Sequence, residues 1–263
     1  MWGKKQKNCD ASKPADLLKG DQWDHTALDA VTRLVVSLVI GKRTGENIDG
    51  VIADFASRTG GRPIKLITTD DCSTYPQALL HHYGDTVVPP RTGRPGRPAG
   101  PYLKWPEGSV YATVNKTYKQ GRVVGVQRDL VHGAPDELTR ALEASPVSDK
   151  VNTAFVERQN GTDRTYNARK RRKTYEFSKD IVAHHAVTWW VMLCYNFHHT
   201  HRGLRLRRLD GTFLHRTPAM AAGLATLPWT VEKILSTQIV GFVPPSNPTL
   251  EHFRVPLHSK VGS

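Results

Sequence analysis

Ile64-Lys-Leu-Ile67-Thr-Thr-Asp70-Asp71 begins as an apolar, β-prone run and ends in two hydroxyl side chains and two acids. Ile64 to Ile67 predicts a short buried strand, and Ser73 predicts the start of a helix bearing Tyr75, Ala78, Leu79 and His82, with Gly84 past its end. In open α/β sheets ligands and metals collect beyond the carboxyl ends of strands, which makes Asp70 a candidate metal-binding carboxylate. Asp71 is expected to face away, because successive strand side chains alternate. A plain Asp-Asp turn leading into a helix cap is the competing reading.

Upstream, Gln22 to Leu28 and Leu34 to Ile40 read as an antiparallel hairpin. Thr44 caps a helix in which Ile48, Val51, Ile52, Phe55 and Ala56 recur at helical spacing until Gly60-Gly61 stops it. The order is hairpin, helix, strand, helix. Downstream, Pro89 to Pro101 is dense in Pro and Gly and reads as a connector. Its repeated Gly-Arg-Pro admits two readings, a minor-groove hook or a plain basic linker. Ser109 to Lys116 and Val123 to Val131 alternate as strands, and Pro135 to Ala144 reads as a short amphipathic helix. Pattern alone does not place these three against the earlier sheet.

Lys and Arg exceed Asp and Glu by 13 in the 263 residues, which makes a polyanion the leading partner class. Thirteen of the cations but only five acids lie between Thr153 and Arg216. Cys9, Cys72 and Cys194 are far apart and form no C-x-x-C pair, so neither a disulfide framework nor a zinc ribbon is readable. No long apolar run is present, and the expectation is a soluble, cytoplasmic protein with no membrane partner.

Thr153-Ala-Phe-Val-Glu157-Arg-Gln-Asn-Gly161 opens a predicted helix capped by Asn152 or Thr153 and running toward Lys173. At 100° per residue Glu157, Gly161, Arg164, Ala168 and Arg171 share one stripe, an acid followed by a gap and two cations. Ala154 to Val156 are expected to anchor that helix in the core. Arg169-Lys170-Arg171-Arg172-Lys173 is a basic run suited to phosphate contacts, and the cluster Arg202, Arg205, Arg207 and Arg208 extends it. A solvated basic face is the alternative. Ser178 is expected to cap a second helix with Val182, Ala186, Trp189, Leu193 and Phe197 on one stripe. His198, His199 and His201 lack the spacing of a helical zinc site and read as structural or DNA-facing.

Trp2-Gly-Lys-Lys-Gln-Lys-Asn8, Thr26 to Asp29, Val39 to Arg43, Leu66 to Asp70, Phe155 to Asn160, Tyr195-Asn-Phe197 with His201 and Leu204, and Thr217-Pro-Ala-Met220 occur in that order. Together they resemble bacterial insertion-sequence transposases of the insertion-sequence-one type, members of the DDE superfamily. The resemblance implies a ribonuclease-H-like α/β fold: a mixed sheet flanked by helices, with an inserted subdomain and a helical C-terminal part. It divides the chain into core residues 1–84, linker and inserted subdomain 85–150, catalytic-Glu helix and basic helical hairpin 151–208 with both basic runs on consecutive helices, and a tail with short helices 209–263.

By the same resemblance Asp70 and Glu157 are catalytic metal ligands for Mg²⁺ or Mn²⁺. Arg158, Asn160, Arg164, Arg169, Lys170, Arg171, Arg172, Lys173, His201, Arg202 and Arg205 are expected to meet DNA. Two ions would activate water, expose a transposon 3′-hydroxyl and drive its attack on target DNA, with the protein as a homo-oligomer on the ends. The family's first acid belongs upstream of Trp2, in an Asp-Glu-x-Trp pattern that this sequence lacks. Two further readings stand beside the transposase: a noncatalytic DNA-binding protein, and a two-metal nuclease that cuts without joining.

Overall fold

A computed structural model describes residues 6–10, 12, 13, 16, 19–90, 99–171, 178 and 180–237. Trp2 to Lys5 of the first resembling segment, most of the Gly-Arg-Pro connector, Arg172, Lys173 and the end of the tail lie outside those residues.

The expected hairpin is present. Strands β1 (Trp23–Leu28) and β2 (Val35–Gly41) pair antiparallel, with Trp23 opposite Gly41 and Leu28 opposite Val35. Asp29 shapes the turn by accepting from Val31 N at 3.0 Å and Thr32 Oγ1 at 2.6 Å. Arg33 then takes a positive φ of 63°, uncommon for a residue with a side chain. Helix α1 (Gly45–Arg58) follows, its first turn capped by Thr44 Oγ1, which accepts from Asn47 N. Ile48, Val51 and Ile52 form its buried stripe.

Strand β3 (Leu66–Asp70) leads into helix α2 (Tyr75–Tyr83), which starts after Thr74 rather than at Ser73. Gly84 ends α2 because a Cβ there would lie 2.3 Å from the Leu80 carbonyl oxygen. Strands β4 (Asp85–Val87) and β5 (Tyr102–Lys104) form a small antiparallel pair around the connector. Strand β6 (Val110–Lys119) pairs parallel with β3, and β7 (Arg122–His132) pairs antiparallel with β6. The 85–150 segment therefore supplies two strands of a mixed three-stranded sheet ordered β3-β6-β7.

Helices cover both sides of the strands. On one side α1 and α2 share a core with Val39, Tyr111 and the half-buried Ala27 and Ile67, which ties the hairpin and the sheet to the same helices. On the other, helix α3 (Pro135–Glu143) packs Leu138 and Leu142 against Ala112, Val114 and Val151. Helix α5 (Ile181–Leu193) packs Met192 and Trp189 against Val35, Leu38 and Ile40 of β2. These clusters each bury several large aliphatic side chains, worth about 1.5–3 kcal/mol apiece.

Helix α4 (Ala154–Tyr166) ends earlier than expected. Asn167, fully buried, interrupts it: its side chain accepts from Arg169 N and donates to Thr188 Oγ1, so Ala168–Lys170 becomes a separate 3₁₀ turn. Asp180, not Ser178, caps α5, accepting from Val182 N at 2.8 Å and Ala183 N at 3.5 Å. After a π turn at Cys194–His198 the chain enters β8 (His201–Arg207), which pairs with β9 (Phe213–Arg216). The second basic cluster thus lies on a hairpin rather than a helix. Short helices α6 (Pro218–Ala221) and α7 (Val231–Ser236) close the described chain. Among the described residues no helix is long and apolar enough to cross a membrane.

Candidate active site

Register fixes where Asp70 stands. It is the last residue of β3 and lies opposite Val114 of β6, as Thr68 lies opposite Ala112. Laterally paired residues of a sheet share a face, so Thr68, Asp70, Ala112, Val114 and Lys116 all belong to the side that carries Val151 and the start of α4. Thr68 Oγ1 donates to the Asn152 carbonyl at 3.3 Å, which fixes the approach of α4 to this strand.

Glu157 lies one turn into α4. Lys116, two residues beyond the partner of Asp70, donates to Glu157 Oε1, and Thr153 Oγ1 donates to the same oxygen at 2.6 Å. Partial burial opposes ionisation of Glu157, but these two hydrogen bonds and the Lys116 charge outweigh it and hold its carboxyl below the usual range. Asp70 is paired with Arg43, whose Nη2 lies 3.5 Å from Oδ2. Asp71 turns elsewhere and accepts from Asn115 Nδ2 at 3.1 Å, in line with the alternation expected. The two candidate acids therefore occupy one face at one end of the sheet, each beside a cation.

Chain order alone did not single out Arg43 and Lys116. Lys116 had a readable signal: it falls on the inward phase of the β6 alternation, where a half-buried ammonium needs an acid. Arg43 had none beyond its position after β2.

The anchoring of α4 differs from expectation. Ala154 is exposed, Phe155 and Val156 are only half-buried, and the helix turns Gln159 and Asp163 inward. Three consecutive apolar residues do not make a stripe on a helix, whereas positions 159 and 163 lie on one face. Arg33 helps hold the start of the helix, with its guanidinium 3.7 Å from the centre of the Phe155 ring.

The inward acid explains Lys170. Its Nζ lies 2.6 Å from Asp163 and 2.7 Å from Asp24 of β1, with its side chain only 8% exposed. Lys170 is therefore withdrawn from the basic run and neutralises the buried Asp163 and the half-buried Asp24. His184 lies beside Asp24, and burial pushes its imidazole down to about 4 despite that neighbour. Asn160, Gln159 and these charged residues line a cavity of about 10 Å³, room for roughly one water.

The other expected DNA contacts divide. Arg158 and Arg164 are exposed on α4, and Arg171 is exposed beyond the 3₁₀ turn. A Cβ on Gly161 would meet nothing within 4 Å, so the surface between Glu157 and Arg164 is open. Arg169 is half-buried and donates to Ser178 Oγ at 3.4 Å. Arg202 is exposed on β8, and Arg205 stacks on Phe213 at 4.0 Å. His201 packs edge-on against Tyr195, and burial lowers its affinity for a proton.

Compared with known protein families, curated proteins and solved structures, the chain finds no match. The donor chemistry must therefore stand by itself. Asp70 and Glu157 offer hard, largely exposed carboxylate oxygens, with side chains 61% and 51% accessible. Two such groups suit one Mg²⁺ completed by water or phosphate oxygens.

Proposed function

We propose that this protein is the catalytic domain of a DNA transposase with a ribonuclease-H-like core, acting through Mg²⁺-dependent phosphoryl transfer. The observation that carries the proposal is the placement of Asp70 and Glu157 on one face at the carboxyl end of β3, beside the exposed Arg158 and Arg164. A hairpin, a covering helix, a strand ending in one acid and a late helix bearing another also follow the order that such a core requires.

Asp70 and Glu157 would hold Mg²⁺, which supplies Lewis-acid activation of water or of a 3′-hydroxyl and neutralises charge at the phosphorus. Lys116 keeps Glu157 ionised, and Arg43 pairs with Asp70, before DNA arrives. Arg158 and Arg164 then face the phosphate backbone, which positions the strand without reading its sequence. Gly161 leaves room for that backbone to approach the helix. The DNA partners are transposon ends and target, bound by a homo-oligomer.

The engagement of each acid by a cation favours one alternative: a protein that binds DNA without cutting it. Incubation of the purified protein with Mg²⁺, supercoiled plasmid and duplexes ending in the element's terminal repeats separates these readings. Joined products support transposase, nicks without joining support a nuclease, and binding without either supports the noncatalytic reading.

A further inference from the structure

Away from Asp70 and Glu157, Asp49 in the second turn of α1 meets His81 and His82 in the last turn of α2. Asp49 Oδ1 lies 3.0 Å from His81 Nδ1 and 3.0 Å from His82 Nε2. One candidate ligand atom from each residue lies within 4.8 Å of the other two. His82 Nε2 is buried and lies against the Asp49 carboxylate, beside His81.

We infer that Asp49, His81 and His82 form a binding site for a divalent transition metal of the Zn²⁺ class, clamping α2 to α1. Two imidazole nitrogens with one carboxylate oxygen are a borderline donor set, which suits Zn²⁺ and Co²⁺ and disfavours Mg²⁺. Ligands about 2.0–2.1 Å from a tetrahedral zinc are separated by roughly 3.3 Å, so the two 3.0 Å contacts with Asp49 need to open by a few tenths of an ångström and the imidazole nitrogens, within 4.8 Å of each other, to settle to the same spacing. The backbone needs no rearrangement, because Ile48, Val51, Ile52, Ala78 and Leu79 already hold the two helices together. His81 and Asp49 are 62% and 40% exposed, leaving the outer side for water as the fourth ligand. The rings of His81 and His82 are tilted by 43°, and one nitrogen of each lies 3.0 Å from the same Asp49 oxygen.

The site bears on the acidic centre indirectly. Helix α2 begins a few residues after Asp70, and metal bound at its far end would stiffen the helix that follows that strand. It shares no ligand with Asp70 or Glu157, so the two assignments succeed or fail separately.

The test uses the full chain without a histidine tag, stripped with a chelator and titrated with Co²⁺, then Zn²⁺. One equivalent of Co²⁺ is expected to give a visible ligand-field band that Zn²⁺ abolishes, and Zn²⁺ is expected to raise Tm. His82→Ala and Asp49→Asn should each weaken Zn²⁺ binding at least tenfold, while Asp70→Asn leaves it unchanged. His81→Gln alters an exposed side chain and guards against misfolding; with an unchanged urea midpoint before metal addition it too should lose at least tenfold. Absence of stoichiometric binding, affinity unaltered in His81→Gln and Asp49→Asn, or loss of binding only on changing His198, His199 and His201 would each overturn the inference.

Discussion

Lys116 of β6 donates its ammonium to Glu157 of α4, joining the sheet edge beside Asp70 to the helix that carries the second acid. That ion pair places the acids and also competes with any metal for one of them. It is partly solvated, so its direct contribution to stability is small.

Replacing Lys116 with Met should release Glu157 and raise its pKa toward the ordinary carboxylate range. It should also tighten Mg²⁺ or Mn²⁺ binding about fivefold, since one nearby positive charge in solvated surroundings opposes the ion by about 1 kcal/mol. Carboxyl NMR titration and calorimetry would read the two effects. For the wild type the sign is set by a folded pKa below the ordinary 4.5: the Glu157 contribution is present above pH 4.5 and is lost as pH falls through the folded value.

Lys170 and Arg164 should part company although both fall in the basic region. Lys170→Met leaves Asp24 and Asp163 buried without their cation and is expected to cost about 3–5 kcal/mol, read as a lower urea midpoint. Arg164→Ala should leave stability within about 0.5 kcal/mol. It should weaken DNA binding evenly across sequences and reduce the salt slope by about one ion. Equal effects of the two changes on DNA affinity would contradict the burial of Lys170.

Much of the architecture is legible in the chain, and the departures share a physical origin. The hairpin, α1, β3 and α2 are marked by apolar spacing and by local stop signals such as Gly84. The inward side of α4 is not, because Gln159, Asp163 and Asn167 are polar: Asp163 shares Lys170 with Asp24 of β1, and Asn167 donates to Thr188 of α5. Hydropathy cannot report a polar seam that only tertiary contacts satisfy. The same reason hides Lys170, which reads as one more cation in a basic run. Asp70 and Glu157 stand out by position in strand and helix, whereas Arg43 and Lys116 emerge only when register is known.

Asn196 illustrates a long-range contact of this kind. Its buried amide accepts from Val35 N at 3.0 Å and donates to Val35 O at 2.9 Å, completing the hydrogen bonding at the start of β2 from 161 residues away. Asn196→Ala strands a buried donor and a buried acceptor together, and should cost about 2–4 kcal/mol in equilibrium unfolding. Asn196→Asp should do comparable harm, because a carboxylate cannot donate to the Val35 carbonyl.

Stability should also fall in mild acid through His184. Its folded pKa is depressed from 6.5 to about 4, mainly by burial, with Asp24 opposing and Lys170 and His185 reinforcing the shift. Between those values the unfolded chain takes up a proton that the folded chain refuses, so stability declines as pH drops from 6.5 toward 4 and this contribution then levels off. His184→Gln should flatten that part of the urea-midpoint profile.

The proposed activity requires Asp70 and Glu157 to share a divalent ion. Mn²⁺ binding to the metal-stripped protein, followed by electron paramagnetic resonance, tests it most directly because it does not depend on catalytic competence. Mn²⁺ affinity should fall at least tenfold in Asp70→Asn and in Glu157→Gln alike, and be unaffected by Asp49→Asn. Mn²⁺ affinity unchanged in either of the first two variants would contradict it.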